Sequence, residues 1–95
     1  MKIESVTAHP LRTELETPFA FSQGWVRARC ATLVEIRTDD GLVGWGEAFC
    51  QGLEAPEISA TIIRDCFARM ITAQSPLDTE RLWFEMYNRS RDFGR

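Results

Sequence analysis

Histidine is almost absent from this sequence: His9 is the only one in 95 residues. That excludes a metal centre built on several histidines, and it leaves no Cys/His pair that the sequence itself singles out. Cysteine is sparse as well. Cys30, Cys50 and Cys66 are an odd number at irregular spacing with no C-x-x-C pair, which argues against a disulfide framework and against a zinc or redox motif. Each is expected to be a free thiol acting as a small buried hydrophobe. No apolar run approaches the roughly 20 residues of a membrane span. The first residues, Met1 to Val6, include Lys2 and Glu4 and lack the apolar stretch of a secretory signal, so the expected location is the cytoplasm. There is no excess of positive charge: the net charge is −3 and the pI about 5.1, which is unlike a general nucleic-acid binder. Arg89, Arg91 and Arg95 make one basic end, expected to be solvated and suited to a helix C-terminus.

Catalytic signatures are missing too. There is no phosphate-binding G-x-x-x-x-G-K-[ST], no dinucleotide G-x-G-x-x-G and no nucleophile-elbow G-x-S-x-G. Gly44-Trp45-Gly46-Glu47 starts like the second of these, but it lies in a strand pattern with no third glycine and no following helix. Asp39 and Asp40 are explained by turn chemistry, and Glu14 and Glu16 by solvent exposure. His9, beside Pro10, is expected at a strand edge.

What remains reads as one ordinary globular domain spanning residues 1–95, with 44% hydrophobic and 26% charged residues. Lys2 to Thr13 alternates loosely, which predicts a strand; Pro10 places it at a sheet edge or at a bulge. Glu14 to Trp25, with Pro18, Ser22, Gln23 and Gly24, predicts a loop, yet it carries Phe19, Phe21 and Trp25. Val26 to Thr38 alternates cleanly, with Ala28, Cys30, Thr32, Val34 and Ile36 on one face. Asp39-Asp40-Gly41 is a turn and Leu42 to Cys50 the return strand, making a β-hairpin. A three-residue turn would set Cys30 opposite Cys50, which by itself implies no disulfide. Gly44, Gly46 and Ala48 share a face that is expected to pack closely against another element.

Gln51 to Ala55 predicts a loop, and Pro56-Glu57 suits the first turn of a helix. Ile58, Ile62, Ile63, Cys66, Phe67, Met70 and Ile71 recur at helical spacing, ending near Thr72. After Ser75-Pro76, Asp78 or Thr79 can cap a second helix with an apolar stripe of Leu82, Trp83, Met86 and Tyr87. The order is β-β-β-α-α, an α+β architecture in which a three-stranded antiparallel meander is followed by two helices. The two irregular segments, Glu14–Trp25 and Phe49–Gly52, flank the hairpin at one end. Their aromatic residues and glycines suit the wall of a small-molecule pocket.

Lys2-Ile3-Glu4-Ser5-Val6, Thr17-Pro18-Phe19 and the stretch Val34-Glu35-Ile36-Arg37-Thr38-Asp39-Asp40-Gly41-Leu42-Val43-Gly44-Trp45-Gly46-Glu47-Ala48 resemble the N-terminal capping domain of the enolase superfamily. Ser75-Pro76-Leu77 and Leu82-Trp83 fit as well. The likeness is to the mandelate racemase and muconate lactonizing enzyme branch. It implies a partner domain, a modified (β/α)8 barrel carrying lysine or histidine bases and three acidic magnesium ligands. There a proton α to a carboxylate is removed, leading to racemisation, epimerisation, cycloisomerisation or dehydration. It also implies that the cap confers specificity for a small carboxylate substrate through two loops, here Glu14–Trp25 and Phe49–Gly52. Phe19, Phe21, Ser22, Trp25, Phe49 and Gln51 are the substrate-binding candidates. No catalytic base and no metal ligand transfers to these 95 residues, so the expectation is a fragment that needs no cofactor of its own, is inactive alone and self-associates. The alternative is a stand-alone α+β interaction module.

Overall fold

The computed structural model describes residues 1–50 and 52–93. Two long strands dominate it. β1 (Ile3–Phe21) pairs antiparallel with β2 (Gly24–Thr38), and β3 (Val43–Ala48) pairs with the other side of β2, giving the order β1-β2-β3. Pro10 therefore lies on an edge strand, where its missing N–H is tolerated. Pairing passes through Pro10 opposite Thr32 without a bulge. The register shifts fall elsewhere, between Ile3 and Ser5 and between Glu14 and Phe19.

The segment Glu14 to Trp25 is not a loop. β1 continues to Phe21, Ser22 and Gln23 form a tight turn, and Gly24 opens β2 at a φ of 140°. Composition misleads here because the turn formers crowd the tip while the register shift before Phe19 absorbs Pro18 within an edge strand. At the other end of β2 the predicted turn forms as expected. Thr38 Oγ1 donates to Asp40 Oδ1 at 2.5 Å and accepts the Leu42 N–H at 3.0 Å, and Gly41 takes the left-handed φ of 92°.

Alternation sorts β2 into two faces. Val26, Ala28, Thr32 and Thr38 are buried, while Arg27, Arg29 and Arg37 are exposed. Helices cover the first face. α1 (Pro56–Ile62) starts on Pro56, runs through a π-helical turn (Ile63–Phe67) and continues as α2 (Ala68–Ile71), with helical backbone at both junctions. It stops at Thr72, which is extended, and Ala73, at a φ of 70°. Ala73 N–H donates to the Ile3 carbonyl at 2.8 Å and Ile3 N–H to the Gln74 carbonyl at 2.9 Å, which ties the start of the sheet to this turn. α3 (Thr79–Ser90) follows, then a 3₁₀ turn (Arg91–Phe93). Asp78 stands at the N-cap, but its carboxylate accepts from Arg81 at 3.1 Å instead of capping the helix backbone.

Ile3, Ile71 and Leu82 form one buried cluster of the core, with Val6, Ile36, Met70 and Met86 packed against them, and Val26, Ala28, Ala60 and Ile63 are buried as well. Thr32 is fully buried at the centre of β2. Its hydroxyl donates to the Pro56 carbonyl at 2.7 Å and accepts from Ser59 Oγ at 2.9 Å, so the start of α1 is pinned to the sheet. Two expectations fail. A Cβ placed on Gly44 or Gly46 would meet nothing within 4 Å among the described residues, so the close packing predicted for that face is not found. The α3 stripe is also only half used: Leu82 is buried and Met86 half-buried, whereas Trp83 and Tyr87 stack on each other, exposed, with ring centroids 5.0 Å apart. Helical periodicity marks which residues share a stripe but not how much of it a neighbour covers.

Candidate functional site

The end of the sheet away from the Asp39–Gly41 turn gathers the sequence candidates. Cross-strand partners share a side of the sheet. Phe19 pairs with Val26 and Phe21 with Gly24, while Trp25 pairs with Ala20. Phe19 and Phe21 therefore sit together on one side of the hairpin tip and Trp25 on the other, rather than forming one aromatic wall. The Arg29 guanidinium lies over the Phe19 ring at 4.8 Å. Ser22 is exposed in the tight turn at the tip. Phe49 is 81% exposed and, with Val26, Arg29, Cys30, Cys50 and Glu54, lines a small cavity of about 240 Å³ beside the hairpin. Gln51 lies outside the described residues.

Glu54 holds the segment after β3 against the hairpin, and sequence reasoning does not single it out. Its Oε1 accepts the Arg27 N–H at 2.6 Å and, at 3.4 Å, the Ala28 N–H, on the stretch of β2 that β3 does not reach. Its carbonyl accepts from Arg12 Nη1 at 2.6 Å, and its φ of 55° is a left-handed conformation unusual for glutamate. Arg12 also donates Nε to Glu14 at 2.9 Å, and that hydrogen bond is the chief reason its guanidinium is held more firmly protonated than usual. Glu54 thus docks the segment after β3 against β2 through its carboxylate, on the exposed ladder edge, and against β1 through its carbonyl. The only hint at the sequence level is an acid between Gly52 and Pro56.

A second polar cluster lies on the face of the sheet opposite the helices. His9 Nε2 is 3.1 Å from Glu35 Oε1, Arg37 Nη2 is 2.5 Å from Glu35 Oε2, and the His9 ring is 5.8 Å from that of Trp45. Glu35 is buried beneath these neighbours. The hydrogen bond from His9, followed by Arg37, lowers its carboxyl pKa against the opposing effect of burial. His9 is therefore more than a strand-edge residue, but its role is to pair with Glu35.

On the helix side an apolar cleft of about 530 Å³ opens between Ala48, Ile62, Phe67, Met70, Arg89 and Phe93. Ser59, Thr61, Cys66 and Ser90 also line it, but among the described residues no histidine, lysine or carboxylate joins them there as a base or acid. Among the described residues no group of three His, Cys, Asp or Glu side chains converges as metal ligands would. A magnesium ion does not fit these described residues, which offer it no converging ligand set. No helix of the described structure is long and apolar enough to cross a membrane. What the arrangement offers is shape: an aromatic hairpin tip and an adjoining segment, locked together by Glu54 and Arg12.

Comparison with known proteins agrees with this architecture. Residues 2–91 match the family model described as mandelate racemase / muconate lactonizing enzyme, N-terminal domain. The chain is 39% identical over 95 residues to a D-galactarolactone cycloisomerase of Agrobacterium fabrum, covering 100% of this chain and 24% of that protein. The solved N-succinyl Arg/Lys racemase of Bacillus cereus superimposes with a TM-score of 0.80 at 25% identity, over 93% of this chain and 25% of that one. The dipeptide epimerase of Enterococcus faecalis, complexed with Mg and the dipeptide L-Leu-L-Tyr, gives 0.76 at 28% identity over the same shares of the two chains. The chain thus spans about a quarter of the length of the curated relatives it matches. It belongs to the mandelate racemase / muconate lactonizing enzyme family of the enolase superfamily and corresponds to the N-terminal domain of those enzymes.

Proposed function

We propose that this domain is the specificity cap of an enzyme that removes a proton α to the carboxylate of a small substrate. A (β/α)8 barrel supplies the base and holds the magnesium ion, and the reaction is a racemisation, cycloisomerisation or dehydration. The observation that carries the reading is the hairpin tip with Phe19 and Phe21, together with the segment after β3 that carries Phe49 and that Glu54 docks against Arg12 of β1 and Arg27 of β2. Such a surface contributes walls rather than reacting groups, and it can discriminate between substrates through apolar contact. Relatives named as a cycloisomerase, a racemase and an epimerase lend support to a shared carboxylate chemistry with varied specificity.

The test is Phe21→Ala in the enzyme containing this domain together with a barrel. The ratio of kcat/KM between two carboxylate substrates is expected to change while Tm stays nearly constant. A loss of about 3 kcal/mol or more in stability with an unchanged ratio would make Phe21 a core residue. A second reading, a stand-alone interaction or homo-oligomerisation module, is favoured by Trp83 and Phe84 on α3, 58% and 61% exposed, with Tyr87 beside them.

A further inference from the structure

We propose that Cys30 and Cys50 form a disulfide site, a dithiol that a low-molecular-weight disulfide such as oxidised glutathione converts reversibly to an intrachain bridge. Geometry brings the pair together from both directions along the chain. Thr32 pairs with Ala48, and each step back along β2 is matched by a step forward from β3. Carried two steps beyond the last pair, the same register would set Cys50 across from Cys30. The bond from Thr38 N–H to the Leu42 carbonyl sets the alternation of the ladder, so in a continuation of that register residues 30 and 50 would fall at a hydrogen-bonded position. Cα atoms at such positions are about 5.5 Å apart, within the roughly 4.4–6.8 Å that a disulfide spans.

β3 ends at Ala48, but the chain beyond it is not free to leave. Six residues after Ala48, the Glu54 carboxylate accepts the N–H groups of Arg27 and Ala28. The segment containing Cys50 thus starts beside Thr32 and is anchored again beside Ala28, with Cys30 midway between. Both thiols are free and half-buried, and both line the 240 Å³ cavity. The Cys50 thiol is pushed above its usual pKa by burial first and by the adjacent Cys30 next. Cys66 does not line this cavity and stands exposed on the π-helical turn.

In the reaction, one thiolate attacks a sulfur of the oxidised glutathione, forming a mixed disulfide and releasing one reduced glutathione. The second thiolate then displaces the other. Two protein thiols lose two protons and two electrons, the oxidant is reduced to two thiols, and one S–S bond replaces another. The double anchoring of the Cys50 segment favours the second step over escape as a mixed adduct, because the partner thiol is held in place at high effective concentration.

The test needs no substitution. The folded protein is equilibrated with oxidised glutathione, remaining thiols are alkylated and the protein is digested with trypsin without reduction. Cleavage after Arg29, Arg37, Arg64 and Arg69 puts Cys30, Cys50 and Cys66 on separate peptides. The expected product is peptide 30–37 joined to peptide 38–64, lost on dithiothreitol treatment, with peptide 65–69 outside the bridge. In denaturant this preference should disappear and bridges to Cys66 should become comparable. Glutathione retained on Cys30 or Cys50 without a bridge, or bridges to Cys66 equally abundant in the folded protein, would overturn the proposal.

Discussion

Glu35 carries a carboxylate on the helix-free face of the sheet and is nonetheless buried, because His9, Arg37 and Trp45 close over it. Its pKa is lowered from 4.5, first by the hydrogen bond with His9 and then by Arg37. A depressed carboxyl pKa contributes stability that is fully present above the unfolded value and is lost as pH falls through the folded one. The protein should therefore lose stability on acidification below about pH 5, and Glu35→Gln should flatten that part of the profile. Urea midpoints measured from neutral pH down into the acid range check this; an unchanged acid slope in the variant would assign the loss to other carboxylates. No sequence pattern marks this cluster, since His9 and Glu35 are 26 positions apart and meet on a diagonal between strands. Glu54 and Arg12 were illegible for the same reason: each acts on a backbone group of a distant element.

At the scale of the element, the strand–turn–strand of β2 and β3 was readable because alternation and turn chemistry agree there, with Gly41 in the left-handed conformation the turn requires. The hairpin tip of β1 and β2 was not, because its turn residues and Pro18 outweighed the extended backbone around them. α3 divides the other way. Its period was plain, yet only Leu82 and Met86 reach the core. Leu82→Ala is expected to cost about 2–5 kcal/mol, the range for a buried leucine. Trp83→Ala, outside the core and stacked only on exposed neighbours, should stay within about 1 kcal/mol. Chemical denaturation of the two variants side by side checks this, and a larger loss for Trp83→Ala would show that the aromatic cluster is covered in solution.

For the whole molecule the notable property is uncovered apolar surface. Trp83, Phe84 and Tyr87 on α3 and Trp45 on the sheet are exposed, and the cleft between Ile62, Phe67 and Phe93 is open. Monomers rarely leave more than a few hundred Å² of contiguous apolar surface in water. A chain of 95 residues also has a thin margin of stability. The 95-residue chain on its own is therefore expected to self-associate through apolar contacts that respond little to salt. Sedimentation equilibrium across micromolar concentrations should give masses above 10.9 kDa; a monomer throughout would mean the domain covers itself adequately.

The order of elements, the faces of β2 and the family resemblance were determined by the sequence alone, which for β1 left an edge or a bulge at Pro10 that the strand order resolved as an edge. Each rests on local chemistry: period-2 alternation, the φ a turn demands, the N–H a proline lacks. The tertiary structure decided what depends on distance in space. It separated Trp25 from Phe19 and Phe21, since cross-strand partners must share a side and a register shift precedes Phe19. It left Gly44 and Gly46 facing open space where close packing was expected. It placed Glu54 on the unpaired edge of β2, because β3 stops short and the Arg27 N–H there needs an acceptor. The sequence contains every one of these residues, but their roles follow from strand register and strand length, which long-range pairing sets.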